Sequence, residues 1–121
     1  LDRTAHQDYY AEQIEIQRLA VAAWIAAAKN RTDEALQLMR ASADLEDATE
    51  KDNVTPGAII PARELLGEML LMLKQPAAAL EELEASLKLT PNRRNAILHA
   101  IQAAQEAGNQ VKARYYEQQY Q

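Results

Sequence analysis

The sequence predicts an all-α protein of six helices arranged as three antiparallel pairs, and three observations carry that reading. Alanine is the largest single part of its 48% hydrophobic content, with no Phe and a single Trp. Alanine is the strongest helix former and lets helices approach closely. The long Ala-, Leu-, Glu- and Gln-rich runs are interrupted only by short stretches holding Pro, Gly, Asn and Thr. A small residue also recurs near the start of every second helix, in "DEALQLM" (Ala35), "AAALEEL" (Ala79) and "VKARYYE" (Ala113).

The first helical pattern runs from about Asp8 to Lys29, with Ile14, Leu19, Val21, Ala22, Ile25 and Ala26 as a wide apolar face. "NRTDEAL" (30–36) ends it and starts another, Thr32 or Asp33 serving as cap and Glu34 suiting a helix N-terminus. The second helix continues to about Thr49, with Leu36, Met39, Ala43 and Leu45 facing inward. "NVTPGAIIPAR" (53–63) is the one clearly non-helical stretch, and Pro61 suits the first turn of a third helix reaching Leu73. Its Ile59 and Ile60 are expected to fold back as an ordered cover, or to form one wall of a binding surface. Pro76 repeats the device for a fourth helix to about Leu89, and Thr90 as cap with Pro91 at the first turn does so for a fifth. Gly108 reads as a left-handed C-cap before a last helix carrying Val111, Ala113, Tyr116 and Tyr120. Turns of two to four residues make neighbouring helices antiparallel.

At 121 residues the chain suits one domain with a modest core. A net charge of −5, with Lys and Arg scattered among acids, argues against a nucleic-acid partner. The absence of cysteine excludes disulfides, thiolate metal sites and cysteine nucleophiles, and suits the cytosol and an export compartment alike. The most apolar run, "LAVAAWIAAA" (19–28), is too short to span a membrane, so no membrane insertion is expected. There is no Ser–His–Asp order, phosphate-cradling glycine loop or zinc spacing, so neither enzymatic activity nor a cofactor is expected. A start at Leu1, without Met, reads as a processed product or an excised piece of a longer protein.

Ala79 and Ala113 are 34 residues apart, and Ala35 and Ala79 are 44 apart, the same step plus ten. With that period the chain resembles the tetratricopeptide repeat family over essentially its whole length. In the middle repeat Leu66 and Gly67 fall on the family's Leu-Gly pair and Leu70 on its Tyr. Ala79 and Ser86 match its small residues, Leu83 its aromatic, and Pro91 its closing proline. The third repeat has Ala100-Ile101 in place of Leu-Gly, and the first has Ala22-Ala23. The resemblance implies a right-handed α-solenoid with repeats at about 16–49, 60–93 and 94–121 and an insertion at about 50–59. "EIQRLAVAAWIA", "PARELLGEMLLML" and "SLKLTPNR" are also similar to the C-terminal part of larger bacterial repeat proteins, many of them exported and without an assigned activity.

The family lines a concave groove with the first helices of successive repeats and binds peptides or partner helices there. By register that groove draws Gln17, Ala20, Val21 and Trp24 from the first repeat. It draws Glu64, Leu65, Glu68, Leu71 and Met72 from the second, and Asn95, Leu98, His99, Gln102 and Gln105 from the third. The implied function is a non-catalytic scaffold for a protein or peptide, with Trp24 and the leucines as anchors or, alternatively, as core. The family's carboxylate-binding positions hold Ala20, Trp24, Leu65, Asn95 and His99, of which only Asn95 and His99 suit an anion. A basic or neutral ligand is therefore expected. Glu64, Glu68 and His99 can converge on a cation or a proton, although paired surface carboxylates are far more often simple solvation. The tyrosines of "ARYYEQQY" and "DYYAEQ" read as capping faces with hydroxyls in water, or as surfaces for homo-oligomer formation through the terminal repeats.

Overall fold

The computed structural model describes residues 3–49 and 60–121. These form six helices: α1 (Arg3–Ala28), α2 (Thr32–Thr49), α3 (Ala62–Met72), α4 (Pro76–Leu89), α5 (Arg94–Glu106) and α6 (Gln110–Tyr120). They pack sequentially in pairs, as expected for an all-α helical repeat. The chain divides into two compact units, Leu1–Ala62 and Arg63–Gln121. The first holds α1 packed on α2, and the second holds α3 to α6, each packed on the next. The expected 50–59 insertion lies outside the described residues.

All three pairs turn on the same backbone joint. Asn30, Lys74 and Gly108 adopt φ of 63°, 65° and 77°. Around each, two amides turn back onto the preceding helix: Asn30 N to Ala27 O and Arg31 N to Ala26 O, Lys74 N to Leu71 O and Gln75 N to Leu70 O, Gly108 N to Gln105 O and Asn109 N to Ala104 O. This is the Schellman arrangement, which meets carbonyls that a helix end leaves open. The next helix begins two residues later each time, at Thr32, Pro76 and Gln110. Gly108 was legible as a left-handed cap. Asn30 and Lys74 were not, because only their backbone conformation marks them.

The small residues sit where helices meet. Ala35, Ala79 and Ala113 are buried near the starts of α2, α4 and α6. Gly67 is the tightest point, since a Cβ built there would stand 2.5 Å from Cγ and 2.7 Å from Cδ2 of Leu83. The equivalent positions in the first unit, Ala23 and Met39, are also buried. Leu66, Met69, Leu70, Leu80 and Leu83 fill the second unit's core, each such side chain contributing about 1.5–3 kcal/mol on burial. Two serines occupy matching buried positions with different fates. Ser42 Oγ donates to the Ile16 carbonyl at 2.7 Å, whereas Ser86 Oγ has no hydrogen-bond partner. In the first unit the buried Glu46 carboxylate accepts from the Ala62 amide at 2.7 Å.

Several local expectations change. The buried stripe of α1 is Ile16, Ala23 and Ala26, while Ile14, Val21 and Ile25 are exposed on the opposite face. The run is apolar on both sides, so periodicity did not say which side meets α2. Thr32 and Asp33 are already helical, so neither is the cap, although Asp33 and Glu34 do place carboxylates in the first turn. Thr90 closes α4, its N and Oγ1 both donating to the Ser86 carbonyl, and Pro91 lies in the turn before α5. Pro61 immediately precedes α3, and Pro76 opens α4 as expected. Ile60 is exposed, not folded under, and Ile59 lies outside the described residues. Val111 is the most exposed large apolar side chain of α6.

Two substitutions check these packing points. Gly67→Ala lowers stability by about 1–2 kcal/mol, because overpacking outweighs the roughly 1 kcal/mol gained in helix propensity. A urea midpoint that stays level or rises would show that α3 and α4 have room to spare. Lys74→Gly raises stability by about 1 kcal/mol, by relieving a left-handed side-chain residue, and Gly108→Ala lowers it by a similar amount. The midpoints must move in opposite directions.

Candidate functional site

The second unit brings the faces of α3 and α5 together through two charged contacts. Glu64 is fully buried, and its carboxylate takes both Arg93 Nε at 2.9 Å and Arg93 Nη2 at 3.3 Å. One turn along α3, Glu68 Oε1 lies 3.4 Å from His99 Nδ1. That pair is close enough for electrostatic attraction but out of hydrogen-bond alignment, and the buried Nδ1 atom has no hydrogen-bond partner. Burial pushes the Glu68 carboxyl above its ordinary range, and neighbouring Glu64 pushes the same way, while His99 and Arg93 oppose them.

Around this charged seam the face is mixed. Met72 and Leu98 are exposed (51% and 41%), Leu65 is partly covered, and Asn95 is open to solvent. Gln102 is also exposed, with its amide donating to Glu106 at 2.8 Å. Leu71, expected in the groove, is buried in the core instead. Gln17 and Val21 are exposed on α1, and Trp24 is half-buried there. All three belong to the first unit.

The sequence allowed Glu64, Glu68 and His99 to converge, with simple solvation of the carboxylates as the commoner reading. The structure pairs Glu68 with His99 but commits Glu64 to Arg93, which was not singled out. The 29-residue separation of Glu64 and Arg93 gave no local signal. Among the described residues no group of three His, Cys, Asp or Glu side chains is arranged to hold a metal ion. On this face the thioether and leucine side chains offer adaptable apolar surface, and Asn95 offers an exposed amide.

A second network closes the C-terminal end. Glu84 accepts from Lys112 Nζ at 2.7 Å and from the Tyr116 hydroxyl at 2.8 Å. Tyr116 was expected to reach water, yet it is buried, and burial with the adjacent carboxylate pushes its phenol well above its ordinary range. Tyr115 stays exposed, edge-on to Tyr116, and Tyr120 lies under the Arg94 guanidinium, 4.1 Å from its ring centre. Arg63 pairs with Glu82 at 2.7 Å across α3 and α4. An open groove of about 580 Å³ runs between α4 and α6, lined by Leu87, Ile97, Val111, Tyr115 and Tyr116 among others.

Removing one partner of the Glu64–Arg93 pair strands a buried carboxylate. Arg93→Ala therefore costs about 2–4 kcal/mol, the lower part reflecting the partial exposure of the guanidinium. Glu64→Leu combined with Arg93→Ala recovers most of that loss. A denaturation cycle in which the double variant is worse than Arg93→Ala alone would show that the pair is not what Arg93 serves.

Comparison of the chain with protein-family models, with curated proteins and with solved structures gives no significant match.

Proposed function

We propose that this chain is a non-catalytic binding scaffold, a tetratricopeptide-like segment of a right-handed α-solenoid that seats an extended peptide on the faces of α3 and α5. The observation that carries the reading is the repeated joint at Asn30, Lys74 and Gly108. The latter two joints are one 34-residue step apart and start α4 and α6 in the same phase. The close approach at Gly67 and Leu83 supports it as well, because that pairing requires a residue without a Cβ.

Binding falls to Met72, Leu98 and Leu65 as apolar contacts, with Asn95 and Gln102 as amide partners for a peptide backbone. Glu68 and His99 line the seam between them. With Arg93 held by Glu64, the remaining carboxylates favour a neutral or basic segment over an acidic one. The affinity of such a surface rests on a few partly buried side chains.

Pools of short fluorescent peptides, basic in one and acidic in the other, test this by anisotropy. The basic pool binds, and Met72→Arg with Leu98→Arg reduces that binding at least tenfold while the far-ultraviolet circular dichroism and melting curve are kept. Equal binding to both pools, or binding that ignores the two arginines, would sink the proposal. Both positions are exposed, so their substitution leaves the core intact.

A further inference from the structure

The face of α1 turned away from α2 is apolar. Ile14, Val21 and Ile25 are 64%, 59% and 51% exposed, and Tyr10, edge-on to Tyr9, continues the line at 56%. A helix apolar on two opposite sides is ordinarily covered on both. In the first unit α2 covers only the side formed by Ile16, Ala23 and Ala26.

The spacing on the exposed side is that of a helix–helix seam. Tyr10, Ile14, Gln17, Val21, Trp24 and Ala28 follow one another at alternating steps of four and three residues. That is the a/d rhythm of paired helices, here over about 27 Å. None of these six residues is charged. The nearest flanking charge, Arg18, is paired with Glu15 at 2.6 Å.

We infer that this face of α1 is a self-association seam, occupied by α1 of a second copy running antiparallel. Centred on Leu19, the antiparallel register sets Tyr10 against Ala28, Ile14 against Trp24 and Gln17 against Val21. Each contact then occurs twice about a two-fold axis, as an isologous dimer requires. Tyr10 is met by the smallest side chain of the seam, so bulk and space alternate along it. An uncharged face also suits a second copy, because two chains of net charge −5 repel one another wherever their acids meet.

The area agrees with a modest dimer. Of the seam residues, Tyr10, Ile14 and Val21 offer roughly 100 Å² each, and with Gln17, Trp24 and Ala28 the two copies together bury on the order of 900 Å². That lies just below the roughly 1,000 Å² of a specific interface, so the association is weak and concentration-dependent. The seam assigns Gln17, Val21 and Trp24 to helix pairing, not to the peptide-seating face, and its test uses residues that the peptide assay leaves untouched.

Sedimentation equilibrium of the full chain across a hundredfold concentration range is the first measurement. The expected result is a reversible monomer–dimer equilibrium that Val21→Glu shifts at least tenfold toward monomer, with helicity unchanged. The chain contains no cysteine, so introduced thiols report without background. Mixing Gln17→Cys with Val21→Cys under mild oxidation is expected to yield mainly the mixed disulfide dimer. A wild-type chain that remains monomeric throughout, or a dimer that Val21→Glu leaves unchanged, overturns the seam. Cross-linking of each cysteine variant only to itself overturns the antiparallel register.

Discussion

Everything described here depends on how a helix is stopped and reversed within three residues. A helix end leaves carbonyls without partners, and burying such an end is costly unless something donates to them. The left-handed residue at each joint solves this with the backbone alone. It turns two amides onto the carbonyls and delivers the chain to the next helix start at a fixed offset. Because the offset is fixed, Ala35, Ala79 and Ala113 fall on the same inner turn each time, where close helix packing needs small side chains. Helix pairing, core composition and the alignment of α4 and α6 follow from that one local geometry.

The charged groups of the second unit tie the ends of its helices together at greater range. Glu64 with Arg93, and Glu84 with Lys112 and Tyr116, tie together parts that no single backbone joint connects, while Arg63 with Glu82 adds a tie across the pair joined at Lys74. The half-covered pairs add little net stability, since desolvating both partners offsets much of their attraction. Around Glu64 and Glu68 the balance differs between neighbours one turn apart: one carboxylate is neutralised by a two-pronged guanidinium, and the other is left against a misaligned imidazole. The candidate binding face is built over that unequal pair.

Much of the fold was legible in the sequence. Alanine content, the prolines and Gly108 punctuate six helices, and the Ala35–Ala79–Ala113 spacing carries the repeat. Legibility failed where identity and conformation part company. Asn30 and Lys74 look like ordinary polar turn residues, and α1 is apolar on two sides, so nothing in its pattern chose the buried one. The site was less legible still. Glu68 and His99 do come close, which the sequence allowed without favouring, but Leu71 belongs to the core, and Arg93 acts on a residue far away in the chain. Tertiary pairing, not local spacing, decides both.

Ser42 and Ser86 hold the same place in successive helix pairs and are equally buried, yet one hydroxyl bonds the Ile16 carbonyl and the other bonds nothing. At the second position serine is serving as a volume, slightly larger than alanine, with its chemistry idle. Likeness between these helix pairs is therefore a likeness of shape. Two residues of the same name can fill the same place for different reasons, and only the neighbour's carbonyl tells which is which.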